Sequence, residues 1–208
     1  MKLYYAPGTC SLAVHIASRE AGIVLQLERV DIGKWPHPTQ SGANFAAISA
    51  NQYVPVLELD DRSRLTEAAA LLQYLADLKP DAGLAPRPGT LQRVTLQSWL
   101  NFIATELHKT YSPWLFNAEV GAKAEAFARQ RIAARLAYVE GHLNVSGPYL
   151  MGEQFTVADA YLFTILNWSV AAQVSLAAFP KLRSYIEQIR ARPAVDRAME
   201  EEGLKDAA

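Results

Sequence analysis

The spacing of hydrophobic and polar positions changes character near residue 79. Before it, short apolar runs alternate with helical stretches. After it, a period of three to four residues persists almost to the end of the chain. In the first part, KLYY predicts a strand, and residues 11–21 predict a helix stopped by Gly22. LQLERV alternates and predicts a second strand. VPVLELDDRSRLT predicts a hairpin turning at Asp60 and Asp61. Residues 34–50 are rich in Pro, Gly, Ser and Asn, with NFAAIS reading as a turn or two of helix. Residues 67–78 read as helix, with Leu71, Leu72 and Leu75 on one side. The predicted order is β-α-β-(α)-β-β-α.

KPDAGLAPRPGT, residues 79–90, is the linker. Beyond it every pattern is helical. Leu96, Leu100, Ile103 and Leu107 follow i, i+4, i+7, i+11 within 91–111. Ile132, Leu136, Val139 and Leu143 do the same within 119–143. In FTVADAYLFTILNW, Thr156 stands three residues before Asp159, which predicts a capping box on a buried helix. Pro180 suits the first turn of a helix carrying Leu182, Ile186 and Ile189. Arg192-Pro193 ends that helix and starts a last short one, and GLKDAA reads as a frayed tail. The expected organisation is an α+β domain over 1–80 and an all-helical domain over 88–208.

Composition narrows the function. The chain has 208 residues, half of them hydrophobic and a fifth charged, as expected of a globular protein with a substantial core. A net charge of −1 gives nucleic-acid binding no electrostatic support. A single cysteine excludes an intrachain disulfide. Pro7 and Gly8 interrupt any signal-like run, and no window approaches the roughly 18 apolar residues of a membrane span. A cytoplasmic protein with no membrane partner is expected. No glycine-rich phosphate loop and no metal-ligand spacing are present.

Four features could carry chemistry. Cys10 sits where a strand turns into a helix. There it is either a small core residue or a thiolate favoured by helix N–H groups. Val54-Pro55 directly precedes a strand. A cis bond there would turn the Val54 backbone outward to pair with an extended peptide. Thr66, Glu67 and Ala68 start a helix, as an ordinary cap or as a seat for a carboxylate with Glu67 on an ammonium group. Asn101, Thr105, His108 and Ser112 fall on one helical face, which is either solvated or lines a cleft.

These features occur together, in the order found in one family. Across essentially its whole length the sequence resembles the cytosolic glutathione transferases, most closely the bacterial beta class. KLYYAPGTCSLAVHIASREAG, VPVLELDD, LTEAAALLQYLADLKP, WLNFIATELHK and FTVADAYLFT carry the resemblance. It implies a thioredoxin-like N-terminal domain, an all-α C-terminal domain that supplies the electrophile pocket, and a homodimer. By that resemblance Cys10 faces the glutathione sulfur and His108 points towards it. Val54, before a cis Pro55, pairs with the cysteinyl part of glutathione. Glu67 and the Ala68 N–H hold its γ-glutamyl end. Lys34 or Trp35 in the loop, and Asn101, Thr105, Glu106 and Lys109 on the helix, complete the glutathione contacts. Asp159 is structural. Glutathione is then a co-substrate, with no permanently bound cofactor, and the implied activity is conjugation to small apolar electrophiles in detoxification. Thiol-disulfide exchange or peroxide reduction through Cys10 is a side activity. A glutathione-dependent dehalogenase or isomerase, and a non-catalytic binder of apolar ligands, are the alternatives.

Overall fold

The computed structural model describes residues 1–205, which form two compact units: Met1–Ala82 together with the chain from Pro193 onward, and Gly83–Arg192. The division falls inside the Pro- and Gly-rich stretch, after a 3₁₀ turn at Pro80–Ala82. The last helix, which lies within the expected helical domain over 88–208 along the sequence, packs within the first unit.

The first unit is built on a four-stranded sheet in the order β2-β1-β3-β4. Strand β1 (Lys2–Tyr5) runs parallel to β2 (Gln26–Arg29) and antiparallel to β3 (Val56–Glu58), which pairs with β4 (Arg64–Thr66). Leu3 lies opposite both Leu27 and Leu57, so these leucines share one face. Helices α1 (Ser11–Glu20) and α2 (Ala68–Leu78) bury Ala13, Val14, Ile16, Leu71, Leu72 and Leu75. A second cluster, Tyr4, Val30, Phe45 and Val56, gathers Ile48 and Val54 against it. Phe45 comes from a single 3₁₀ turn, Phe45–Ala47, the short helix foreseen in NFAAIS. This cluster ties the irregular loop, and with it Val54, to the sheet.

The second unit is helical. Helix α3 (Leu91–Phe102) continues through a π-helical segment, Ile103–His108, into the short α4 (Lys109–Tyr111). Then come α5 (Gly121–Ser146), α6 (Val157–Ala171) and α7 (Pro180–Arg190). The predicted capping box is present at α6. Asp159 is fully buried. Its carboxylate accepts from the N–H groups of Leu150 and Thr156 and from the hydroxyls of Thr156 and Tyr185, at 2.8 to 3.0 Å. Burial pushes its pKa up, against the pull of those four donors.

Helix α8 (Pro193–Glu201) lies against α1 in the first unit. The expected fraying is corrected for Gly203 and Leu204. Gly203, at φ +71°, ends α8 in a Schellman turn, with Leu204 N–H on Met199 O at 2.8 Å and Gly203 N–H on Glu200 O at 2.9 Å. Lys205 is also held, its Nζ 2.8 Å from Asp196 Oδ2, and the rest of the expected frayed tail, residues 206–208, lies outside the described residues.

Candidate functional site

In the first unit the turn Ala6–Thr9 delivers Cys10 to the N-cap of α1. Thr9 Oγ1 bonds Ala6 O at 2.8 Å and Ser11 Oγ at 2.8 Å, and Ala6 N–H bonds Ser11 Oγ at 3.2 Å, so the turn is braced from within. Cys10 is 8% exposed, and its thiol donates to Val54 O at 3.4 Å. Chain segments 44 residues apart thus meet at the sulfur.

The Val54-Pro55 bond is cis, as are Trp35-Pro36 and Ser112-Pro113. Val56 pairs with Thr66, so Val54-Pro55 and Glu67-Ala68 stand at the same end of the hairpin. Glu67 does not belong to the helix, contrary to the predicted span. It is the N-cap of α2, at φ +68°, a conformation that non-glycine residues adopt rarely and at a cost of about 1–3 kcal/mol. Its side chain is exposed. Its carbonyl accepts from Ala70 and Leu71. Ala68 supplies the first N–H of the helix, which has no partner within the helix. Cys10, Val54, Pro55, Glu67 and Ala68 are therefore brought together by strand pairing and the Cys10–Val54 contact.

Lys34 and Trp35 are placed differently. Lys34 Nζ reaches Asp31 at 2.9 Å, and the Lys34 carbonyl meets His37 Nδ1. Lys34 lines an open groove with Tyr5, Arg29 and Glu200–Gly203. Trp35 is 76% exposed and sits edge-on to His37.

In the second unit the π segment breaks up the expected polar stripe. Asn101 and Thr105 face solvent, with Thr105 Oγ1 bonded to Asn101 O at 2.9 Å. Lys109 is also exposed. His108 turns inward and is half-buried. Its Nδ1 lies 2.7 Å from Tyr161 Oη, and its ring is T-shaped to Trp168 at 4.9 Å between centroids. Phe116 and Tyr111 extend this aromatic group around Trp168. For His108 the reading of a solvated face is thus corrected. The sequence reading missed Tyr161 and Trp168, because α6 is apolar along nearly its whole length and singles out no residue.

Burial, with a smaller contribution from Lys109, lowers the His108 pKa from 6.5 to about 4. The ring is neutral at pH 7. When Tyr161 donates to Nδ1, Nε2 carries the proton as a ready donor. The fold disfavours imidazolium, so the unfolded chain binds the extra proton more tightly. Stability is full above pH 6.5 and falls as pH drops through that value to about 4, by roughly 3 kcal/mol in total. An NMR titration of the imidazole protons should give a midpoint near 4; a midpoint above 6 would contradict this burial.

Glu106, expected as a ligand contact, is held by Arg135 at 2.6 Å and Arg131 at 3.0 Å, both from α5. The Arg135 hydrogen bond is the main reason its pKa is lowered. Glu106→Gln should lower stability in a urea melt by about 1 kcal/mol or less, as for other partly exposed ion pairs. A loss several times larger would mean that Glu106 carries more than this network.

Comparison with known proteins gives two family matches along the chain. Residues 8–78 match the glutathione S-transferase N-terminal domain, and residues 105–202 match the glutathione S-transferase C-terminal domain. The chain is 39% identical over 205 residues to glutathione S-transferase GstA of Escherichia coli O157:H7, covering 99% of this chain and all of that one. It superposes on BphK, a bacterial glutathione S-transferase solved as a ternary complex, with a TM-score of 0.94. The two are 44% identical over 98% of this chain and all of BphK. A sphingomonad glutathione S-transferase complexed with glutathione gives a TM-score of 0.92 at 39% identity, again over 98% of this chain and all of the other.

Proposed function

We propose a reaction for this chain from one premise: it belongs to the glutathione S-transferase family. The reaction is conjugation of reduced glutathione to small apolar electrophiles. The observation that carries the glutathione half is the meeting of Cys10, Val54 and the Glu67-Ala68 cap at one end of the hairpin. An extended tripeptide fits such a place. The backbone of Val54 pairs with the cysteinyl residue as a short added strand. The γ-glutamyl carboxylate takes the Ala68 N–H at the helix N-terminus. The glutamyl ammonium takes the exposed Glu67 carboxylate. Lys34 or Trp35 is the proposed loop contact of the same unit.

Within the helical unit lies a group of apolar side chains. His108, Trp168, Phe116 and Tyr161 form an aromatic group suited to planar, electron-poor rings. Neutral His108 is the proposed donor to sulfur, with Asn101, Thr105, Glu106 and Lys109 as the polar groups of this unit. Glutathione reacts as its thiolate, and each pKa unit by which a site stabilises the thiolate is worth about 1.4 kcal/mol. The sulfur then bonds to the electrophilic carbon as the halide or other group leaves.

Cys10 favours a second, redox reading. Its thiolate attacks the glutathione sulfur of a mixed disulfide between glutathione and another thiol, forming the Cys10–glutathione disulfide and releasing that other thiol as its thiolate. A second glutathione thiol then restores Cys10 and leaves as oxidised glutathione. The protein is also proposed to be cytoplasmic and homodimeric. Sedimentation at micromolar concentration should give about twice the 22.9 kDa chain mass, and a value near 22.9 kDa would exclude the dimer.

Turnover of 1-chloro-2,4-dinitrobenzene with reduced glutathione tests the reading. Conjugation that saturates in both substrates is expected. Binding of apolar ligands with no turnover would instead identify a non-catalytic binder.

A further inference from the structure

Beneath the turn that carries Cys10 lies a buried polar cluster that the proposed reaction does not use. His15 on α1 is fully buried between two carboxylates. Its Nε2 is 2.9 Å from Glu201 Oε2, and its Nδ1 is 3.0 Å from Glu202 Oε1. Arg19 and Arg197 hold Glu201 on its more exposed side. Glu202 is buried, and its second oxygen accepts the Gly8 N–H at 2.9 Å. Gly8 lies two residues before Cys10, at φ +70°, a conformation that favours glycine. A Cβ at Gly8 would stand 3.4 Å from Leu204 Cδ2. The Schellman turn at Gly203 thus sets Leu204 over Gly8 while Glu202 grips its amide.

Two carboxylates on one imidazole need two protons: either the ring carries both, or one carboxyl carries the second. In both cases Glu202 remains an acceptor for Gly8. Releasing Gly8 would strand a buried carboxyl oxygen, which costs more than losing an exposed hydrogen bond. Burial also pushes the Glu202 pKa up, partly offset by His15 and Gly8.

We propose that Glu202 is a positioning residue for Cys10: the C-terminal turn, through the Gly8 amide, holds the Ala6–Cys10 turn and so keeps the thiol on Val54. The consequence for catalysis rests on the reading of Cys10 as the residue facing glutathione. The positioning itself is read from Cys10 directly, without glutathione.

The test is the rate of Cys10 alkylation by iodoacetamide in the folded full-length protein, well below each variant's melting temperature. Glu202→Ala removes this acceptor and should raise the rate about tenfold, the typical effect of losing a buried hydrogen bond. Glu202→Gln keeps an oxygen for Gly8 and should stay within about threefold of wild type. Leu204→Ala keeps every charge and should accelerate alkylation in the same direction. It carries the test should Glu202→Ala fail to fold. Low urea distinguishes the routes: local opening of the turn leaves the rate nearly flat, whereas global unfolding makes it climb with denaturant. Three results would overturn the proposal. One is wild-type alkylation in both Glu202→Ala and Leu204→Ala, or in Leu204→Ala alone should Glu202→Ala not fold. Another is equal acceleration by Glu202→Ala and Glu202→Gln. The third is a rate that follows the global unfolding constant.

Discussion

Cys10→Ala is expected to abolish the mixed disulfide that oxidised glutathione forms with this protein. Cys10 is the only cysteine of the chain, so any adduct detected by mass spectrometry in the wild type belongs to it. The variant should fold. Cys10 is small, sits at the N-cap without a side-chain capping bond, and donates a weak sulfur hydrogen bond to Val54. Thr9 and Ser11 brace the turn independently of the sulfur. The expected stability loss is about 1 kcal/mol or less, as for other single weak hydrogen bonds. Conjugation should survive, because glutathione's own sulfur is the nucleophile in that reaction. A folded wild type that resists both oxidised glutathione and thiol reagents would instead make Cys10 an inert core residue.

The largest stability effect is expected at Asp159. Asp159→Ala removes the capping box and strands the N–H groups of Leu150 and Thr156 and the Tyr185 hydroxyl in the core. One lost cap costs about 1 kcal/mol, and each of the three stranded buried donors at least about 1 kcal/mol, so a total of about 4 kcal/mol or more is expected. For a chain of this length that is a fall of roughly 10 °C or more in melting temperature. Asp159→Asn should recover little, because its amide nitrogen would face donors. A melt within about 1 kcal/mol of wild type would show that water or neighbouring side chains replace the carboxylate.

The contrast between these residues shows what a sequence can display. The capping box was legible because its partners, Thr156 and Asp159, are three residues apart and precede an apolar run. Gly22 and Pro180 mark helix ends by local backbone chemistry, and both helices have those limits in the structure. Cys10 and Val54 were legible as candidates, but only strand pairing brings them together. The π segment was not legible. One extra residue per turn leaves Ile103 and Leu107 buried as a regular helix would, while swinging His108 away from Asn101 and Thr105. Glu67 carries no composition signal for a positive φ. His15 had no informative neighbour in the sequence because its carboxylates lie 186 and 187 residues away. The tail was misread for a related reason. Gly203-Leu204 after an amphipathic helix is a Schellman signature as much as a frayed end, and the tertiary contact with Gly8 decides between them.

A crystal structure with reduced glutathione bound tests the central claim most directly. The tripeptide is expected in the first unit, with its sulfur against Cys10 and its cysteinyl backbone paired with Val54. Its γ-glutamyl carboxylate should lie on the Ala68 N–H. Glutathione bound without touching Val54 or Ala68, or no binding at millimolar concentration, would contradict the account.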